Sequence, residues 1–249
     1  MVGGHSEVMA QSGEYIDSMF RALIQRVSGQ LPSQCAVCRA WPAQPVCEAC
    51  VARFAQPVPR CQTCALPLPA GVTQCGACLR HPPALDACHA AVPYAFPWAG
   101  LMARYKFTPL PGWSGTLATL LRSTPWVEPA LEQADWLLPM PLSPQRLRER
   151  GFNQSLELAR HLAPAKVAPH LLLRIRHTPS QSSLPRAQRL RNVEGAFAVD
   201  PLHSDRLRGQ RIVLVDDVMT SGASLFAAAQ ALRQAGAAHI TGLVFARTE

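Results

Sequence analysis

An α/β fold on a mainly parallel sheet, with a small cysteine-rich unit ahead of it, is what this 249-residue sequence predicts. Three observations predict it. In the second half of the chain, short apolar runs alternate with longer stretches of helical period, the pattern of strand–helix–strand units. Nearer the start, four Cys-x-x-Cys pairs fall within 44 residues. Late in the chain, "IVLVDDVMTSGAS" (212–224) joins an apolar strand to two adjacent carboxylates and then to small, hydroxylated residues. A composition that is 48% hydrophobic and 16% charged is that of a globular chain with a full core and one or two domains. No stretch approaches the ~20 apolar residues of a membrane span. The opening residues lack the charged-then-apolar order of a secretory signal, so a soluble, cytoplasmic protein is expected.

In chain order, residues 1–30 form an extension in which Tyr15, Met19, Leu23 and Val27 stand at helical spacing. Residues 31–80 hold the cysteine pairs. Without an export signal, eight paired cysteines are unlike a disulfide framework. A Cys-x-x-Cys turn aims two thiolates at one point, and two such turns complete a tetrahedral zinc site. The simplest assignment puts Cys35, Cys38, Cys47 and Cys50 on one zinc and Cys61, Cys64, Cys75 and Cys78 on a second. Spacing alone leaves a crossed pairing open. Four thiolates leave no coordination position for a substrate, so both sites read as structural. The segment has few large apolar residues, and metal would substitute for its core. Cys88 is left over and reads as a small, partly buried thiol rather than a ligand.

Residues 85–249 form the second domain. Within 93–113 a strand and a short helix around Leu101–Lys106 are expected, and "TLATLLR" suggests a helix. "DWLLPMPL" reads as a strand ending in a proline-shaped loop. "NQSLELARHLA" (153–163) places Leu156, Ala159, Leu162 and Ala163 on one helical face. "LLLRI" (171–175) fits a strand, "RIVLV" (211–215) a central strand, "SLFAAAQALRQAG" a helix closed by Gly236, and "HITGLVFAR" the last strand.

Open α/β sheets bind ligands beyond the carboxyl ends of their strands. A strand ending at Val215 puts Asp216 and Asp217 there. Thr220, Ser221, Gly222, Ala223 and Ser224 follow, just before a helix. Small residues let main-chain N–H groups approach an anion, and the helix N-terminus adds its positive end. The element reads as a phosphate cradle with acids placed for a sugar's hydroxyls; a Walker A loop is absent. The competing reading, a helix capped by Thr220 or Ser221, explains the hydroxyls but not the paired acids. Charge adds to this. Residues 139–211 carry 13 Arg and Lys against 5 Asp and Glu, while the rest of the chain balances. Such a segment suits a polyanionic partner, either nucleic acid or a phosphorylated small molecule, or else a solvated surface.

The acidic pair and the hydroxylated, glycine-containing run after an apolar strand resemble the signature of type I phosphoribosyltransferases. The cysteine knuckles, "LPMPLSPQRLRERGFNQSLELA" (138–159), "TPSQSSLPRAQRLRNVEGAF" (178–197), "VDDVMTSGAS" (215–224) and "GAAHITGLVFAR" together resemble the ComF family, which includes competence-related proteins. The resemblance implies a type I phosphoribosyltransferase-like domain behind a double zinc ribbon. Its ligand would be 5-phosphoribosyl 1-pyrophosphate (PRPP), or a related sugar phosphate, with Mg²⁺. Asp216 and Asp217 would face the ribose hydroxyls or the metal, and Thr220 to Ser224 would wrap the 5-phosphate. Arg146 and Arg150, on a loop after the strand near Met140, would meet pyrophosphate. Asn153 belongs to the matching "RGFNQ", and Gln181, Arg189 and Asn192 to a polar hood. No glutaminase segment is read, so glutamine-driven amination is not expected, and no base-recognition pocket is legible. Three functions stay open. They are transfer of phosphoribosyl to an unidentified acceptor, a non-catalytic accessory binding nucleotide or single-stranded DNA, and a zinc-stabilised scaffold whose ribbons dock a protein partner.

Overall fold

The computed structural model describes residues 33–107, 113–176 and 193–249. The expected helix over 14–27 and the candidates Gln181, Arg189 and Asn192 lie outside these residues. Two short helices, α1 (Glu48–Phe54) and α2 (Gly76–Arg80), start at the second knuckle of each cysteine group. Then come β1 (Ala87–Pro93), α3 (Trp98–Phe107), α4 (Trp113–Arg122), α5 (Val127–Gln133), β2 (Trp136–Pro139), α6 (Pro144–Arg150) and α7 (Gln154–Leu162). The chain closes with β3 (Leu172–Arg174), β4 (Phe197–Val199), β5 (Arg211–Met219), α8 (Ala223–Gln234) and β6 (His239–Arg247).

Four strands form one sheet in the order β1-β6-β5-β2, and all three pairings are parallel. This is the expected parallel sheet. Its central strands are near-continuous apolar runs because both faces are covered. Ile212 and Leu214 of β5 face the core shared with α8, and Val213 and Val215 face the core shared with α4, α5 and α7. In α8, Leu225, Ala228, Ala229 and Leu232 are buried at i, i+3, i+4 and i+7. Gly242 of β6 lets this helix come close, since a Cβ there would stand 2.7 Å from Leu225 Cδ2 and 3.1 Å from the Cys88 sulfur. Cys88 itself is fully buried there, deeper than the partly buried thiol expected.

The two cysteine groups pack on opposite faces of the sheet. Cys35 and Cys50 join the core beneath α4, whereas Cys61, Cys64, Cys75 and Cys78 join the core beneath α8. Main-chain and side-chain bonds fasten them. Trp98 Nε1 donates to the Phe54 carbonyl at 2.8 Å, and the Cys88 N–H donates to the Gln62 carbonyl at 2.7 Å.

"LLLRI" forms the expected strand, β3, which pairs antiparallel with β4 in a separate ribbon with Leu173 exposed. Three expectations need correction. The buried stripe of α7 is Ser155, Leu158, Ala159 and Leu162; Leu156 lies off it. Asn153 caps this helix by accepting from the N–H groups of Ser155 and Leu156, which fixes that phase. Arg146 and Arg150 stand on a helix, α6, not on a loop. Ser143 caps it, Pro144 opens it, and Gly151 closes it at φ +76°. Finally, β5 does not stop at Val215. Asp216 stands opposite Val244 and Val218 opposite Ala246, and the strand continues to Met219. Val218 and Met219 are apolar and give the ladder no reason to end. β2, by contrast, ends with Pro139 opposite Val215. Residues 216–219 therefore form a shelf, supported by β6 on one side and vacated by β2 on the other.

Candidate functional site

A cavity of about 370 Å³ opens over that shelf. Asp216, Asp217, Thr220, Gly222, Ala223 and Ser224 line it from the β5–α8 turn, and Arg146 and Arg150 line it from α6. Two further predicted residues are placed elsewhere. Ser221 is buried beside the turn, where its hydroxyl accepts from the Ala223 N–H at 3.4 Å. Asn153 does not line the cavity; besides capping α7, it donates from Nδ2 to the Met140 carbonyl at 3.1 Å. Arg148, also on α6, is exposed and does not line the cavity. Sequence reading missed several lining residues, among them Lys106 of α3, Glu149 of α6, Ser155 of α7 and Arg174 of β3.

The acidic pair is held in place by short-range bonds. Asp216 Oδ1 accepts from Ser155 Oγ at 3.0 Å and from the Asp217 N–H at 2.9 Å. Asp217 Oδ1 accepts from the Val218 N–H at 2.8 Å. Its second oxygen, Oδ2, is buried and has no hydrogen-bond partner among the described residues; Lys106 Nζ stands 3.7 Å away, an ion-pair distance only. Burial, reinforced by the neighbouring Asp217 carboxylate, pushes the Asp216 carboxyl up to about 7. A buried carboxylate oxygen without a donor is costly, and a hydroxyl or a cation entering the cavity would relieve it.

The turn after the acids presents the opposite deficit. Among the described residues, the main-chain N–H groups of Thr220, Ser221 and Gly222 have no acceptor. Gly222, at φ +83°, is the N-cap of α8 and has no side chain to cap it with. The Ser221 hydroxyl takes only the first helical N–H, that of Ala223. Glycine is required at 222, because a Cβ would fall 2.5 Å from Met219 Cε and 2.6 Å from Phe226 Cζ. Three successive unpaired N–H groups at the start of a helix form a concavity suited to an anion.

Cations crowd the far wall. Burial and then the repulsion of Arg146 bring Arg174 down to about 10. Burial and then Arg150 lower Arg146 in turn. Arg174 is steadied by the Phe197 ring, 5.3 Å from its guanidinium carbon. Arg150 donates to Gln154 Oε1 at 2.9 Å, and the buried Gln154 donates onward to the Lys106 carbonyl at 3.0 Å, linking α6, α7 and α3. Guanidinium groups that crowd one another gain from a multivalent anion between them. A wider depression of about 590 Å³ lies between α4, α5 and α7. Its charges are already matched there, since Arg122 Nε donates to Glu128 at 2.6 Å.

The cysteines gather in two sets, Cys35, Cys38, Cys47 and Cys50, and Cys61, Cys64, Cys75 and Cys78, each with its sulfurs within 4.8 Å of one another. S–S separations of 3.9, 3.6 and 3.7 Å match the edge of about 3.8 Å that a tetrahedron of ~2.3 Å Zn–S bonds requires. Main-chain N–H groups point at the sulfurs, from Cys47 to Cys35 and from Cys75 to Cys61, each at 3.4 Å. Both sets fit a structural zinc ion.

Comparison with known proteins agrees with this architecture. Residues 157–248 match the phosphoribosyl transferase domain family, a span that runs from α7 through β5, α8 and β6. The DNA utilization protein YhgH of Salmonella typhimurium is 31% identical over 232 residues, 88% of this chain and 98% of that protein. Competence protein F of Haemophilus influenzae is 31% identical over 173 residues, 66% of this chain and 74% of that one. Competence protein ComFC of Bacillus subtilis is 35% identical over 102 residues, 41% of this chain and 40% of that one.

Proposed function

The chain belongs to the ComF family, and from that premise we propose that its cavity binds PRPP in the service of DNA handling. What supports this is a complementary deficit within one cavity, a buried carboxylate oxygen without a donor and three N–H groups without an acceptor. In this reading Asp216 and Asp217 grip the ribose 2- and 3-hydroxyls, and the turn from Thr220 to Ser224 takes the 5-phosphate. Arg146, Arg150 and Arg174 take the pyrophosphate. Asp216 and Asp217 are also the residues that would hold Mg²⁺, which neutralises pyrophosphate charge when bound. The division into an extension (1–30), a double ribbon (31–80) and a ligand-binding domain (85–249) belongs to the same proposal.

Were phosphoribosyl to be transferred, the C1–O bond would loosen toward an oxocarbenium while charge grew on the departing pyrophosphate. The arginines would then stabilise that state more than the bound substrate. The acceptor is left unnamed, and a non-catalytic accessory would use the same residues without turnover.

Calorimetric titration of the zinc-loaded protein with PRPP and Mg²⁺, beside Asp217→Ala, tests the proposal. Binding that disappears in the variant supports it. Absence of binding to the intact protein, at millimolar ligand, overturns it. Release of pyrophosphate during incubation with candidate acceptors then separates an enzyme from an accessory.

A further inference from the structure

At the end of β6, Arg247 is 2% exposed, and among the described residues no carboxylate lies in ion-pair contact with it. Its guanidinium is instead spent on main-chain carbonyls from three places in the chain. Nε donates to Cys64 at 2.9 Å, within the second cysteine set. Nη1 reaches the carbonyls of Met219 at 3.4 Å, of Thr220, and of Thr248. Thr248 repeats the hold: its N–H donates to Met219 at 3.1 Å and its hydroxyl to Thr220 at 3.2 Å.

The geometry of the peptide unit gives these bonds a consequence. In a trans peptide the C=O and N–H vectors point in opposite directions. Fixing the carbonyls of Met219 and Thr220 on one side directs the N–H groups of Thr220 and Ser221 to the other. Those are two of the three N–H groups left without an acceptor.

We propose that Arg247 is a positioning residue that fixes the two peptide planes of the phosphate turn and anchors them to Cys64, so that the second cysteine set and the turn move as one piece. This rests on the reading of the turn as the 5-phosphate site. Arg247 touches no ligand and acts through the amides it orients. Lysine keeps the charge but lacks the planar fork that reaches carbonyls from separate segments, so it is the informative substitution.

The experiment measures ribose 5-phosphate and Mg²⁺–pyrophosphate binding separately, by calorimetry, on full-length zinc-loaded wild type, Arg247→Lys and Thr248→Val. Arg247→Lys is expected to weaken ribose 5-phosphate about tenfold, the loss of one charge-assisted hydrogen bond's worth of affinity. Pyrophosphate affinity and a zinc content of two per chain should be kept. Thr248→Val, which loses only the hydroxyl bonds, should weaken ribose 5-phosphate about threefold. Unchanged ribose 5-phosphate binding in both variants overturns the proposal. So does a parallel loss of both ligands, which marks a merely structural role. Should Arg247→Lys fail to fold, Thr248→Val decides by the same contrast. Wild type that binds neither ligand removes the parent reading itself, a result distinct from either of these.

Discussion

The two cysteine sets have the same ligands and nearly the same spacing, yet the fold uses them differently. The first lies on the α4 face with Cys38 exposed and Cys47 half-buried. The second has all four cysteines buried on the α8 face, and the Cys64 carbonyl meets the arginine that also holds the phosphate turn. One set braces the outer surface of the domain, and the other stands directly behind the candidate site. What a metal site does for function is therefore set by what its main chain touches, not by its ligand set.

The comparison is broken most forcefully by removing one ligand from each set. Cys75→Ser should cost ~4 kcal/mol or more of stability and weaken PRPP severely. Cys38→Ser, at an exposed position, should cost less than half of that and leave PRPP affinity within about twofold. Thermal unfolding with a zinc assay, followed by titration, measures both. Equal loss of ligand affinity in the two variants would mean that the two sets serve the site alike.

The site can also be approached from its ligand end. Asp217→Ala should weaken PRPP by about 100-fold and leave both metal sites filled. Linkage sharpens the point, because a ligand that depends on the second set must in turn protect that set. In wild type, PRPP should slow zinc loss to a chelator from the second set alone, and in Asp217→Ala that protection should vanish. Mass spectrometry of alkylated cysteines identifies which set has opened.

A smaller effect is expected in the turn. Gly222→Ala meets Met219 Cε and Phe226 at a φ of +83°, whereas Gly71→Ala has a similar φ of +82° and open space around it. The first should cost ~2–3 kcal/mol and the second ~1 kcal/mol. Denaturant midpoints of the two variants test that strain and crowding add.

The last effect is electrostatic. The Asp216 carboxyl is raised to about 7 in the fold, well above its ordinary value near ~4. Between those two values the folded state binds more protons than the unfolded one, so stability falls as pH rises from about 4 to about 7 and then levels. Asp216→Asn should remove that slope. Binding of Mg²⁺–PRPP, which favours the ionised form, should release a proton and strengthen from pH 6 to pH 8. Calorimetry in two buffers of different ionisation enthalpy counts that proton.

The features legible in the sequence were those written locally. Serial Cys-x-x-Cys turns announce a metal, and an apolar run ending in Asp216-Asp217 announces a ligand at a strand end, because each signal lies within a few consecutive residues. Lys106, Ser155 and Arg174 escaped notice because the cavity assembles them from three separate elements. Arg247 escaped for another reason. In "LVFAR" it looks like the polar end of a strand, and only the return of Cys64 and Thr220 to the same place reveals its work. The placement of Arg146 and Arg150 on a helix was hidden by the two prolines before it, which read as a loop although Pro144 is the helix's first residue.

The shelf at the end of β5 has one more consequence. Asp216 and Asp217 belong to a strand fixed along its length by β6, while Arg146 and Arg150 belong to the excursion that leaves the sheet at Pro139. Sugar grip and pyrophosphate grip are thus carried on pieces of chain with different attachments. Insertions, deletions or altered charge in the excursion can change what the cavity accepts opposite the sugar, without disturbing the strand that holds the acids. A lineage built on this plan can explore new acceptors cheaply, keeping one half of the site as a fixed anvil while the other half is reforged.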